Sequence, residues 1–128
     1  MEKVIEFKSG RIVLNAKEGC TILYLNENYV IELEDCIEQQ KILKDNMPDG
    51  GHLLLIIPGK HSTITSEARE YSTNNPMNNK AVAIVSNSLA QKIIVNFMIS
   101  VYQKIKPGYK IKLFSNKDKA LEWLQKQK

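Results

Sequence analysis

Two short runs constrain this chain more than any other feature: Leu53-Leu54-Leu55-Ile56-Ile57 and Ala81-Val82-Ala83-Ile84-Val85. Each is apolar at every position. A strand with one wet face alternates polar and apolar residues, whereas a strand covered on both faces does not. Pro58-Gly59 ends the first run, and Ser86-Asn87-Ser88 follows the second. Two such strands require layers of structure on both sides of a sheet, which places the chain in the α/β class.

The flanking segments fit that class. Val4–Leu14 reads as two short strands about Lys8-Ser9-Gly10, with Gly10 free to take a positive φ. Thr21–Leu25 and Tyr29–Ile31 are rich in β-formers, and Asn26-Glu27-Asn28 suits a turn between them. The period then changes: Leu33, Ile37, Gln40, Leu43 and Met47 fall on one helical stripe, acidic at its start and basic near its end, and Pro48-Asp49-Gly50-Gly51 stops it. Thr65 can cap a helix running to about Tyr71, and the polar segment Ser72–Asn79 reads as loop. Ser88 can cap a long helix to about Lys104. Lys110–Phe114 alternates lysine with apolar residues, as an edge strand would, and Ser115 with Asp118 has capping-box spacing before a last helix. The expected architecture is one domain over residues 1–128. It has a mixed sheet of about five strands, the later ones mainly parallel and joined by right-handed crossovers, and about four helices.

Bulk properties exclude several classes. With 43% hydrophobic and 25% charged residues, 128 residues are enough for a core without metal or disulfide. Residues 99–128 hold eight lysines against Asp118 and Glu122. These lysines interleave with Ile111, Leu113, Phe114, Leu121 and Leu124 and include no arginine, which reads as the wet side of packed elements rather than a nucleic-acid surface. Cys20 and Cys36 stand in no zinc or redox spacing, so two buried free thiols in a reducing cytoplasm are expected, with no metal and no cofactor. The acids among the first residues do not suit a signal peptide, and the apolar stretch Ile93–Tyr102 is too short to span a bilayer, so no membrane insertion is expected.

Three further pieces carry a family resemblance. They are Leu54–Ile64 leading into Thr65-Ser66-Glu67-Ala68-Arg69, the run Ala81–Val85 followed by Ser88-Leu89-Ala90, and Lys112–Leu124 with its Ala120-Leu121-Glu122-Trp123-Leu124 ending. In this order and spacing, residues 53–124 resemble the SpoIIAA-like (STAS) family, within a fold group shared with CRAL-TRIO-like proteins. Residues 1–50 match only in element order. The resemblance implies a binding or regulatory module without catalytic residues, acting in bacterial signalling through a protein partner. Some members are switched by phosphorylation at a helix N-terminus after a central strand. Here that segment contains Ser62 and Thr63, but the family's usual Asp-Ser pair is absent.

In open α/β sheets, ligands sit beyond the carboxyl ends of the strands. Those ends carry Lys60, His61, Ser62, Thr63 and Thr65 on one loop and Ser86, Asn87 and Ser88 on the other. They offer a charge, a titratable ring, hydroxyls and amides beside two helix N-termini, which suits an anion. The plainer reading is that the Ser, Thr and Asn residues only cap helices. No nucleophile elbow, carboxylate pair or Gly-rich phosphate loop completes a catalytic set, so an enzyme is not expected.

The long helix has more apolar surface than a sheet needs. Leu89, Ile93, Phe97 and Val101 form one stripe, and Ile94, Val95, Met98, Ile99 and Tyr102 carry apolar character round the other side. The surplus meets either a neighbouring helix or a functional surface, a homodimer interface or an apolar ligand groove, with Ile94, Met98 and Tyr102 at its border. Two functions follow: an interaction module, or a carrier or sensor of a small apolar, amphipathic or anionic ligand. A carrier needs an enclosed apolar cavity, for which a well-packed chain of this size leaves little room.

Overall fold

The computed structural model describes residues 1–128. Six strands form one sheet in the order β1 (Lys3–Phe7), β2 (Gly10–Leu14), β3 (Thr21–Leu25), β5 (His52–Ile57), β7 (Asn79–Val85) and β8 (Ile111–Phe114). β1, β2 and β3 pair antiparallel, and β3, β5, β7 and β8 pair parallel. The fully apolar strands β5 and β7 are central, and the lysine-bearing β8 is an edge. The sheet has one strand more than expected. A separate two-stranded parallel ladder joins β4 (Val30–Ile31) to β6 (Thr63–Ile64); β6 carried no strand signal of its own.

Four helices complete the chain: α1 (Leu33–Asn46), α2 (Ser66–Asn74), α3 (Leu89–Ile105) and α4 (Lys117–Gln125). On one face of the sheet Ile22, Leu53, Leu55, Ala81 and Ala83 pack against Ala120 and Leu124 of α4. The alanines let α4 lie close, and Ala81, Ala83, Ala120 and Leu124 are wholly buried. On the other face Ile12, Leu23, Leu54, Val82 and Ile84 meet Leu43 of α1 and Val95 of α3. There α2 packs against both α1 and α3.

Local details correct the sequence reading in four places. The glycine of the β1–β2 turn does not take a positive φ; Gly10 is needed because a Cβ there would run into the Tyr24 carbonyl of β3. On α1, Leu43 of the expected stripe is buried, but Ile37 is exposed and Cys36 beside it is buried in its place. Helix α2 runs three residues past Tyr71, to Asn74. Asn116, not Ser115, caps α4, its side chain accepting from Lys119 N at 3.1 Å. Thr65 and Ser88 cap α2 and α3 through Ala68 N and Gln91 N.

Candidate functional site

The crevice at the carboxyl ends of β5 and β7 is spanned by one side chain, Gln91 in the first turn of α3. Its Nε2 donates to the carbonyls of Gly59 at 2.9 Å and Ser62 at 3.2 Å, and lies 3.2 Å from Ser62 Oγ. Its Oε1 accepts from Ser86 Oγ at 2.6 Å. Ser62 Oγ donates to Gly59 O at 2.7 Å, and Ser86 Oγ accepts from Ser88 N at 3.2 Å. Ser62 and Ser86 are each only 5% exposed. The two loops therefore meet, as expected, but their inner hydroxyls are used to hold the loops together.

The other candidates lie at the rim of this clasp, and of them only Ser88 joins it, through its backbone N. Lys60, His61, Thr63, Asn87 and Ser88 are exposed. Thr63 pairs with Val30 in the β4–β6 ladder, its N donating to Tyr29 O at 2.9 Å. His61 holds a left-handed backbone, φ 61°, at the turn that lets Lys60 O accept from Asn28 N at 2.8 Å. Thr65 and Ser88 serve as helix caps.

Below the clasp lies an apolar cavity of about 180 Å³. Its floor is β3, β5 and β7, through Leu23, Leu54, Ile56, Val82 and Ile84; its walls are α1, α2 and α3. α2 packs against both α1 and α3, and residues of α1, α2 and α3 line the cavity together. Ile94, Met98 and Tyr102 are placed in the wall of this cavity. The outward face of α3 carries the other stripe: Leu89, Ile93 and Phe97 are 75%, 63% and 60% exposed.

No Lys, Arg, His, Asp or Glu lines the cavity. Its ionisable groups are held neutral. Burial pushes the Tyr102 and Tyr109 hydroxyls and the Cys36 thiol up from their ordinary pKa values. Cys36 Sγ is also 3.3 Å from Ser72 Oγ and 3.9 Å from Ala68 O. Outside the cavity, burial pushes the His52 imidazole down, and neither ring nitrogen has a partner. No cluster of three or more His, Cys, Asp or Glu side chains is placed to hold a metal ion, and no helix is long and apolar enough to cross a membrane.

Sequence reasoning missed two residues. Gln91 stands three positions after the cap Ser88, a capping-box spacing that signalled its place but not its reach across to another loop. Asn79 closes a segment read as loop, yet it is the first residue of β7 and lines the cavity.

A family model described as a domain of unknown function, DUF7793, matches residues 15–128. The chain belongs to this family. No curated protein matches it. Among solved structures, the DUF7793 chain is similar to an uncharacterised protein of the DUF3478 family with a SpoIIAA-like fold from Shewanella loihica PV-4, at 15% identity and a TM-score of 0.58, over 97% of this chain and 92% of that one. The SpoIIAA-like architecture is thus the fold of this DUF7793 chain, as the motifs in residues 53–124 imply.

Proposed function

We propose that this domain is a non-enzymatic regulatory module that binds a small neutral apolar or amphipathic molecule in the cavity beneath α1, α2 and α3. The cavity itself carries the reading. At about 180 Å³ it exceeds the engineered apolar cavity of about 150 Å³ that takes up benzene. An uncharged lining penalises an anion, which would give up its hydration with no partner in return. The hydroxyls of Ser62 and Ser86 are tied to Gln91, which supports a structural rather than chemical role for the crevice. Within this reading Thr63, being exposed, is the hydroxyl open to phosphorylation, and Ser62 becomes so only when the clasp opens. The buried free thiols Cys20 and Cys36 fit a reducing cytoplasm.

Native mass spectrometry and light scattering on the purified protein test this. The expected result is a species carrying a small additional mass, or an empty protein whose melting temperature rises with small aromatic probes. An empty protein indifferent to every probe that fits would remove the reading. A second reading, a protein-interaction module, is favoured by the exposed Leu89, Ile93 and Phe97 of α3. It predicts a homodimer that Ile93→Glu returns to monomer with the fold intact.

A further inference from the structure

Charge is spread unevenly along this chain, and its barest cationic stretch also carries its barest apolar side chains. Residues 71–117 contain no Asp, Glu or Arg but seven lysines: Lys80, Lys92, Lys104, Lys106, Lys110, Lys112 and Lys117. Of these only Lys117 has a carboxylate partner, Glu18 at 3.3 Å. Helix α3 and strand β8 both lie in this stretch. So do Leu89, Ile93 and Phe97, which are more exposed than any other large apolar side chain except Met1.

Strand β8 ends the sheet, so one of its edges is open. Lys110 and Phe114 turn their carbonyls to β7, accepting from Val82 N at 2.8 Å and Ser86 N at 2.9 Å. Backbone groups alternate in direction along a strand, so Lys112 turns inward as well, while the N–H and C=O groups of Ile111 and Leu113 point to the open edge. Beside that edge runs a groove in which Lys92, Asn96 and Ile99 of α3 face Ile111, Leu113 and Ser115. Lys92 Nζ donates to Ser115 Oγ at 2.7 Å. Leu89 and Ile93 stand one helical step outward from Lys92 and Asn96.

We infer that the β8 edge and the adjoining face of α3 receive an acidic segment of another protein, extended as a strand against β8 and alternating carboxylates with apolar side chains. The outward amides and carbonyls of Ile111 and Leu113 call for an extended backbone. The lysines without partners call for carboxylates. Ile99 in the groove and Leu89 and Ile93 at its outer side call for apolar side chains. A second copy fits badly, because pairing two β8 strands brings the lysines of one edge against those of the other. A bilayer would cover the ridge and the lysines but make no use of the edge amides.

The inference rests on the interaction reading of α3 and is independent of the cavity. Fluorescence anisotropy tests it with three peptides: one alternating glutamate and valine, the same peptide with every amide nitrogen methylated, and one alternating lysine and valine. The wild type should bind the first, bind the methylated form roughly tenfold more weakly for want of the edge hydrogen bonds, and ignore the third. Lys110→Glu combined with Lys112→Glu, at two exposed positions, should lose roughly tenfold or more toward the glutamate peptide and gain the lysine peptide. Amide exchange at Ile111 and Leu113 should slow when the glutamate peptide binds. Should the double variant fail to fold, the wild-type preference for the unmethylated peptide decides alone. Equal binding of the methylated peptide, or no binding of the glutamate peptide, overturns the inference. A homodimer that Ile93→Glu dissociates and that takes up no peptide overturns it and leaves the interaction reading standing. Binding to phosphatidylglycerol vesicles in place of the peptide overturns both.

Discussion

The two faces of the sheet are built on opposite plans. Under α4, small side chains are matched to a close helix: Ala81, Ala83 and Ala120 have no exposed surface, and Leu124 fills what remains. Under α1, α2 and α3 the sheet offers larger side chains, Leu54, Ile56, Val82 and Ile84, and still leaves about 180 Å³ unfilled. Packing density is thus not uniform in one small fold. The α4 face holds the sheet together. The three-helix face gives up part of that stabilisation, because side chains along the cavity lack packing partners on one side.

The largest effect should come from the dense face. Leu124→Ala should cost about 3–4 kcal/mol in urea denaturation, because neighbours held between β7 and α4 cannot collapse into the space. A loss under about 1 kcal/mol would mean that this face is as loose as the other. On the inner side of α3, Met98→Glu places a carboxylate in an uncharged wall and should cost about 3 kcal/mol or more. Ile93→Glu on the outer side should stay within about 0.5 kcal/mol. Equal costs at the two positions would undo the assignment of inner and outer faces.

Overpacking sharpens the contrast further. Ala83→Leu should destabilise by about 2 kcal/mol, while Val82→Leu, one residue along the strand but facing the cavity, should be neutral or stabilise by up to about 1 kcal/mol. Cutting the clasp with Gln91→Leu leaves the Gly59 and Ser62 carbonyls and the Ser86 hydroxyl short of a partner, and should cost about 1–2 kcal/mol. Faster amide exchange confined to residues 59–64 would report it.

The smallest effect concerns pH. His52 is half-buried, its ring nitrogens are buried without a partner, and its pKa is lowered by desolvation in the folded state. The unfolded chain therefore takes up the proton first as pH falls below about 6.5. Stability should be complete above that pH and decline as the pH drops toward the folded value. In His52→Phe this part of the decline should vanish from melting temperatures measured between pH 7 and 5. An unchanged slope would show that His52 is solvated in the folded protein.

Much of the architecture could be read from local pattern. The apolar runs 53–57 and 81–85 identified the central strands, because burial on both faces leaves no position for a polar residue. Thr65 and Ser88 announced their helices because a cap acts within one turn. The alternation of lysines in 110–114 located the edge of the sheet. Gly10 was read as a turn residue free to take a positive φ, which it does not; its constraint comes from the Tyr24 carbonyl of another strand. For the site, the loops 60–65 and 86–88 were found because topology brings neighbouring strand ends together. What fills the space between them was not, since Gln91 reaches across 29 residues of sequence to Ser62.

The sequence by itself determined the class, the order of the six sheet strands and four helices along the chain and the uneven supply of apolar surface on the long helix, all of which depend on periodicity along the chain. Only the tertiary structure decided which apolar stripe of α3 faces inward, that α1, α2 and α3 line a cavity over the sheet, and that an unpaired Lys80 brings Asn79 into its lining. These depend on distances between elements. A stripe is equally apolar whether it meets a sheet, a void or solvent, and no residue pattern records how far away the opposite wall will stand.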